Sequence, residues 1–357
     1  MRVLFITQYG PLAASSRTRV FQYLPYLREA GFEIVVRVVI PDGWLSRFGH
    51  RGAAGRLLYY VVSYFRTAWV GVCCLWSASA FDRIFIQKVL FPAPIALMLR
   101  WTRRKVVYDF DDALFTIDAP RTFLGRIGRW RRQSGLPRML AGSAVAIVEN
   151  DYTRAYASRF SDRVEIITGP IDTERYRPQQ RDANGRVVLG WIGSPTTTPY
   201  LSVIAESLDK VAAARPGVIL RLIGAQPFRA GGIEVEQLDW SLDTEVGALA
   251  HCDIGLMPLP DDPWTRGKGG YKLLQYCALG LPVVASPVGV NAEIVEHGVT
   301  GFLADSETAW TEQLLKLIDD PDLRMRMGQA GRQRMLEYYS LERSSRKLAG
   351  ILRQSVG

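Results

Sequence analysis

Trp264–Leu303 reads W-T-R-G-K-G-G-Y-K-L-L-Q-Y-C-A-L-G-L-P-V-V-A-S-P-V-G-V-N-A-E-I-V-E-H-G-V-T-G-F-L. A glycine-bracketed basic loop runs into a short helix, then a buried strand from Pro282 to Ser286, then a second glycine turn that opens another helix. The small residues of Arg266-Gly267-Lys268-Gly269-Gly270 let backbone amides approach a ligand closely. A helix N-terminus follows, where unpaired amides favour an anion. Lys268 and Lys272 stand four apart and can both reach one phosphate chain. The strand ends at Pro287-Val288-Gly289, and open α/β sheets bind ligands at such strand ends. The stretch points to a small molecule carrying a diphosphate.

Working outward, the same alternation fills the chain. Val3–Thr7 reads as a strand ending at Gln8-Tyr9-Gly10-Pro11, Ser15-Ser16 offer N-cap hydroxyls to a helix running to Ala30, and Phe32–Ile40 is a second strand. The unit has no G-x-G-x-x-G, so a nicotinamide fingerprint is absent. Strands follow at Arg83–Lys88, Val106–Phe110, Ser143–Glu149 and Val164–Ile171, with a helix at Asp151–Phe160. The polar run Asp172–Gly185 reads as a linker. The pattern then restarts with a strand at Val187–Ile192, a turn Gly193-Ser194-Pro195-Thr196 and a helix over Pro199–Ala214. Strand–helix alternation on both sides of a linker means two doubly wound α/β domains with a cleft between them.

The 357 residues suffice for two domains, and 48% hydrophobic with 22% charged residues is globular rather than disordered composition. The net charge of +9 is unevenly placed. Residues 1–180 hold 26 Lys and Arg against 14 Asp and Glu, a net of +12, whereas residues 181–357 hold 18 against 21, a net of −3. A basic half suits an anionic lipid surface or nucleic acid, and no RNA-binding motif accompanies it. Cys73, Cys74, Cys252 and Cys277 form no C-x-x-C pair, which fits a reducing compartment, and three scattered histidines cannot build a metal site. The N-terminal apolar run is too short for a signal peptide.

Three segments carry further chemistry. Arg56–Ala80 is the most apolar stretch, but Arg66 near its middle disfavours a membrane span; a helix buried in the first domain, or lying partly in a membrane interface, is expected instead. Val106–Phe110 delivers Asp109, Asp111 and Asp112 to a strand end, where close like charges repel and active sites sit; the alternative is a helix-capping Asp with solvated neighbours. In Arg121–Leu140, Phe123, Ile127 and Trp130 share a helical face bordered by Arg126, Arg129, Arg131 and Arg132, a pattern for an anionic membrane or for ordinary inward packing. Gly267-Lys268 does not complete a Walker loop, because Gly269 follows the lysine, so an ATPase is disfavoured.

K-L-L-Q-Y-C-A-L-G-L-P-V-V-A-S-P-V-G-V-N-A-E-I-V-E-H-G-V-T-G-F-L resembles the donor-binding half of retaining GT-B glycosyltransferases of the glycosyl transferases group 1 family, also called glycosyltransferase family 4. S-S-R-T-R-V-F-Q-Y-L-P-Y-L-R-E-A-G-F, V-V-Y-D-F-D-D-A-L-F and I-I-T-G-P-I-D-T-E-R-Y-R-P extend the likeness through the first half. The resemblance implies an acceptor domain over residues 1–175, a donor domain over 186–339, and residues 340–357 crossing back onto the first domain. It also implies a hexosyl transfer that retains anomeric configuration and needs neither metal nor cofactor. The donor would be a UDP or GDP sugar, and the acceptor a lipid-linked molecule or glycan in envelope polysaccharide assembly. Nucleic acid is not an expected partner. The enzyme would sit peripherally on the cytoplasmic face of an anionic membrane.

Carried onto this chain, the resemblance assigns the donor to Gly10, Gly193, Ser194, Lys268, Gly269, Gly270, Tyr271, Lys272, Gln275, Gly289 and Val290. Asp111, Asp112 and Lys268 are the catalytic candidates, and Arg17, Arg126, Arg129, Trp130, Arg131 and Arg132 the acceptor or membrane candidates. Two departures stand out. The family's paired glutamates fall on Gly267 and Gln275, and the Arg and Lys usual after the Gly193-type turn are missing, leaving Lys268 and Lys272 as substitutes. Alternative readings are a GT-B sugar-nucleotide epimerase and a nucleotide-sugar-binding protein that has lost catalysis.

Overall fold

The computed structural model describes residues 1–44, 52–116, 123–179 and 185–354. It contains two parallel six-stranded sheets, each belonging to its own compact unit. The first unit comprises Met1–Gly169, Gly267–Gly269 and the chain from Leu341; the second comprises Pro170–Arg266 and Gly270–Ser340.

In the first unit, β1 (Arg2–Tyr9), β2 (Glu33–Ile40), β3 (Arg83–Gln87), β4 (Val106–Asp109), β5 (Val145–Val148) and β6 (Val164–Ile166) lie in the order β2-β1-β3-β4-β5-β6. Alternate residues of β1 bury on opposite faces, as a central parallel strand requires. Val3 and Phe5 join Leu27, Phe85 and Val145 on one face, while Leu4 and Ile6 join Ile84, Ile86 and Tyr108 on the other. The first face is covered by helices α1 (Ala14–Arg19) and α2 (Leu24–Glu29) and by the returning C-terminal helix Leu341–Arg353, through Leu348, Ile351 and Leu352. Helices α3 (Gly52–Ser77), α4 (Ala93–Met98) and α5 (Phe123–Ala141) cover the second face. Helix α6 (Asp151–Ala157) follows β5 and opens on a capping box made by Asn150 and Thr153.

The second unit places β7 (Val188–Ile192), β8 (Ile219–Ile223), β9 (Glu234–Leu238), β10 (Ile254–Met257), β11 (Val283–Ala285) and β12 (Gly301–Leu303) in the order β12-β11-β10-β7-β8-β9. Its helices are α7 (Ala205–Ala214), α8 (Glu245–Ala250), α9 (Tyr271–Ala278), α10 (Asn291–Ile294), α11 (Glu307–Asp319) and α12 (Pro321–Arg334), with Leu341–Arg353 then numbered α13. In both sheets the strand order reverses beside the first strand, between β1 and β3 and between β7 and β10, while all strands stay parallel. The crevices at such switch points are where open α/β sheets take ligands.

The structure corrects several expected elements. The helix expected over Ser15–Ala30 breaks into α1, a 3-10 turn Phe21–Tyr23 and α2, because Pro25 has no amide to continue the ladder. Ser15 and Ser16 lie inside α1, whose N-cap is Ala13 without a side-chain bond. Pro199–Ala214 is a 3-10 stretch Thr198–Ile204 before α7, and the sixth strand stops at Ile166. The run expected as a linker is partly packed: Ile171 pairs with Ser340, Tyr176 is buried, and Arg332 donates to the carbonyls of Thr173 and Tyr176. Pro170–Gln179 therefore falls with the second unit, while residues 180–184 lie outside the described ones.

Candidate active site

In the second unit the turn after β7 sits at the switch point. Ser194 Oγ hydrogen-bonds with Thr196 Oγ1 and with Thr197 Oγ1, and the Ser194 carbonyl accepts from the Thr197 and Thr198 amides. This leaves Ser194 exposed on a tight, hydroxyl-rich turn. Gly193 has no room for a side chain, because a Cβ there would collide with the buried Trp191 ring. The turn after β8 packs directly on it: a Cβ on Gly224 would lie 2.5 Å from the Gly193 carbonyl oxygen.

Helix α9 starts beside this turn. Gly270 caps it in the left-handed conformation (φ 67°), with Val290, Asn291 and Ile294 nearest to where a side chain would be. Lys272 stands at the second helical position, and its ammonium lies 3.9 Å from the centroid of the Trp191 ring. A cation in the first turn opposes the helix dipole, an arrangement that an arriving anion would reverse. The cation–π contact holds Lys272 beside Gly193. Gly289, at φ +56°, packs its backbone against the Arg266 carbonyl. The second unit thus brings together Gly193, Ser194, Gly270, Tyr271, Lys272, Gly289 and Val290, of which Val290 is buried.

Gln275, the expected ribose contact, is held within the second unit. It is buried and donates to the Tyr176 hydroxyl at 2.9 Å. That hydroxyl donates to Glu245 Oε1 at 2.6 Å, and Glu245 also accepts from Trp240 Nε1 and Arg175. Burial, reinforced by Tyr271 and Glu245, pushes the Tyr176 phenol well above its ordinary pKa, so it stays a donor. The residue at the family's ribose position is engaged inside the domain.

The first unit holds a denser polar cluster at the C-terminal ends of its strands. Asp111 lies 2.8 Å from Lys88 Nζ and accepts from Ser15 Oγ; Asp112 lies 2.6 Å from the same ammonium. Gln87, at the end of β3, donates to Ser15 Oγ and accepts from Ser16 Oγ, each at 3.0 Å. Burial alone would raise the Asp111 pKa, but the Lys88 ammonium and the Ser15 hydroxyl hold it below the ordinary value. Lys88 adopts φ 62°, the positive-φ exception among the described non-glycine residues, which costs about 1–2 kcal/mol in backbone strain. Strain of this kind concentrates at functional sites.

Behind it, Arg19 is fully buried between Asp109 and Glu149. Its Nε donates to both Asp109 oxygens at 3.1 Å, and Nη1 to Glu149 at 3.0 Å and to the Ile167 carbonyl. Burial pushes Glu149 up to about 7, despite Arg19 and the Gly169 amide. Two cations face four carboxylates across the cluster, which leaves it short of positive charge. Asp109, expected as one of three carboxylates at the strand end, is Arg19's buried partner.

Lys268 and Gly269 also cluster with the first unit. The Lys268 carbonyl accepts from Asn150 Nδ2 at 3.0 Å, and a Cβ on Gly269 would collide with the Glu149 carboxylate. Gly10 is buried against Asp42, beside a cavity of about 300 Å³ whose lining includes Tyr9, Ala13, Ile40 and Tyr59. Arg17 donates to the Leu12 carbonyl at 3.1 Å. In α5, Arg126 and Trp130 are exposed, Arg129 and Arg132 are half-buried, and Arg131 stacks on Tyr64 of α3. The side chains of Phe123 and Ile127 lie outside the described residues. Among the described residues no group of three or more His, Cys, Asp or Glu could hold a metal ion.

Arg19, Lys88, Ser15 and Glu149 were missed from sequence. The available signal was position: Lys88 and Glu149 are charged residues directly after apolar strands, as Asp111 is.

Residues 247–334, which hold the α9 site, match the family model of the glycosyl transferases group 1. The chain carries this family's segment on a GT-B fold. A relative with 28% identity over 255 residues is the Mycobacterium tuberculosis GDP-mannose-dependent alpha-(1-6)-phosphatidylinositol monomannoside mannosyltransferase; the match covers 62% of this chain and 64% of that protein. The chain therefore spans somewhat less than two thirds of that relative's length. Among solved structures, Anabaena HepE in complex with UDP and glucose superposes with a TM-score of 0.67 at 15% identity, over 99% of both chains. Sucrose-phosphate synthase from Thermosynechococcus elongatus gives 0.69 at 16% identity, over 99% of this chain and 98% of that one. At such identities these two establish the fold.

Proposed function

We propose that this protein is a glycosyltransferase that moves a hexose from a nucleoside-diphosphate sugar to a lipid-linked or glycan acceptor, retaining anomeric configuration without a metal. The observation that carries the reading is Lys272, held beside the Gly193 turn in the dipole-unfavourable first turn of α9, within the group 1 segment. A diphosphate bound here would meet the Lys272 ammonium and the positive end of the α9 dipole with the opposite charge. Amides of the Gly193 and Gly289 turns and the start of α9 would meet its oxygens, and Lys272 would stabilise charge developing on the leaving phosphate. Gln275, tied to Tyr176 through its amide nitrogen, is the residue proposed at the ribose.

The first unit supplies the acceptor's partners. Asp111, kept ionised by Lys88 and Ser15, orients the attacking hydroxyl through a hydrogen bond and is a weak proton acceptor. Asp112 shares the same ammonium. The phosphatidylinositol-based acceptor in the mannosyltransferase's name supports a lipid-linked acceptor here, and the enzyme would work peripherally at the cytoplasmic face of the membrane in envelope polysaccharide synthesis.

A second reading, a nucleotide-sugar-binding protein without transfer activity, is favoured by Gly267 in place of the first family glutamate. The test is a thermal-shift screen of UDP and GDP sugars followed by transfer assays with the hits. Stabilisation by one sugar nucleotide with product formation supports the transferase. Stabilisation without transfer to lipid or glycan acceptors favours the second reading, and no stabilisation by any sugar nucleotide refutes both.

A further inference from the structure

Helix α3 covers the first sheet with one face and leaves the opposite face apolar and bare. Thr67, Val70, Cys74 and, just past the helix, Ala78 point inward and are buried, at the i, i+3, i+4 spacing of a packed helix. Leu58, Val61, Phe65, Trp69 and Trp76 recur at the same spacing on the other side, with Phe65 66%, Trp69 65% and Trp76 82% exposed. The adjoining α4 and the turn after it add exposed Leu97, Met98 and Trp101. Large apolar side chains exposed together along one helix face mark an interaction site.

Its border says which partner fits. Helices α3 and α5 and the 3-10 stretch Leu99–Lys105 carry eleven Lys and Arg and no Asp or Glu. A second copy would set these cations against their own kind, whereas an anionic bilayer supplies the opposite charge. Aromatic rings with cations beside them match the chemistry of the headgroup boundary. The stretch Leu57–Ala80 is long and apolar enough to cross a membrane, but crossing would strip Val70, Cys74 and Ala78 from the core. Arg66 also ties the helix to β2, donating to the Val39 carbonyl at 2.8 Å and stacking on Trp44.

We propose that the outward face of α3, centred on Phe65, Trp69 and Trp76, is an interfacial membrane anchor that lies in the plane of an anionic bilayer. Sequence alone offered both Arg56–Ala80 and Arg121–Leu140 as membrane-facing segments; this proposal gives α5 the bordering charge and α3 the apolar insertion. The inference deepens the membrane part of the proposed function and rests on that reading only for its purpose.

The test is flotation of the full-length protein with vesicles of phosphatidylcholine alone and with phosphatidylglycerol added. The wild type should float with the anionic vesicles and about tenfold less with neutral ones. The F65S/W69S/W76S variant should lose flotation about tenfold while keeping its melting temperature, because these side chains support no core. Should that variant misfold, quenching of wild-type tryptophan emission by lipids brominated near the headgroup gives a second readout. No flotation of the wild type, flotation undiminished in the triple variant, equal flotation without anionic lipid, or a wild-type dimer that the variant makes monomeric would each overturn the proposal. Sugar-nucleotide thermal shifts measured in solution on the same proteins report the donor site independently. Failed flotation with an intact shift sinks only the anchor, and an absent shift with intact flotation sinks both sugar-nucleotide readings and leaves the anchor standing.

Discussion

Replacing Arg19 with methionine removes a guanidinium that is fully buried between two carboxylates and leaves them facing each other in the core. The variant loses both Nε bonds to Asp109, the bonds to Glu149 and the Ile167 carbonyl, and a third bond to Asp109, from Nη2. Breaking a buried ion pair by deleting one partner costs about 3–5 kcal/mol. The loss should depend on pH in a definite direction. Without Arg19 the folded-state carboxyl pKa values rise further above their unfolded values. A raised acid pKa penalises the folded state at pH above the unfolded value, and the penalty fades as pH falls toward it. Urea denaturation followed by far-ultraviolet circular dichroism should therefore show the largest loss near pH 8 and a smaller one near pH 5. Hydrogen exchange at β1, β4 and β5 would place the loss in the first unit. R19M/D109N/E149Q, which removes the stranded charges, should recover most of it. A loss below about 1 kcal/mol, or one that is constant with pH, would refute the buried-triad account.

Three further outcomes follow from the same geometry. Glu149 titrates near 7 in the folded protein against an ordinary 4.5, so folding favours its protonated form below about pH 7. Stability from this group should fall between about pH 4.5 and 7, by up to about 3 kcal/mol, and E149Q should flatten that slope in denaturation curves. Lys272→Ala should weaken sugar-nucleotide binding about tenfold or more by calorimetry, the scale of one charge-assisted hydrogen bond, and unchanged affinity would remove Lys272 from the donor site. Asp111→Ala should leave donor affinity intact yet lower turnover about a hundredfold or more; unaltered turnover would end its assignment to the acceptor hydroxyl.

The two-domain α/β architecture was legible because parallel strands buried on both faces are short β-branched runs, and those runs recur on either side of Asp172–Gly185. The group 1 segment was legible because Gly270, Gly280 and Gly289 punctuate it at left-handed turns that tolerate little else. Helix interruptions were not read correctly: Pro25 splits one helix, and Ser15 and Ser16, read as caps, point their hydroxyls at Asp111 and Gln87. The function of a serine hydroxyl depends on which acceptor the fold brings within 3 Å, and sequence spacing does not carry that distance.

The sequence by itself determined the strand–helix alternation, the glycine turns of Trp264–Leu303, and the uneven charge between the halves, because each follows from local sterics or from counting. Tertiary structure alone decided the electrostatic partners. Lys88 meets Asp111 and Asp112 from a neighbouring strand, Arg19 reaches Asp109 and Glu149 over separations of 90 and 130 residues, and Gln275 turns inward to Tyr176. Tertiary packing also decided which face of α3 is bare. An apolar helix reads alike whether its core lies on one side or all round, and only the sheet beneath it shows that half of its aromatic surface is left for something else.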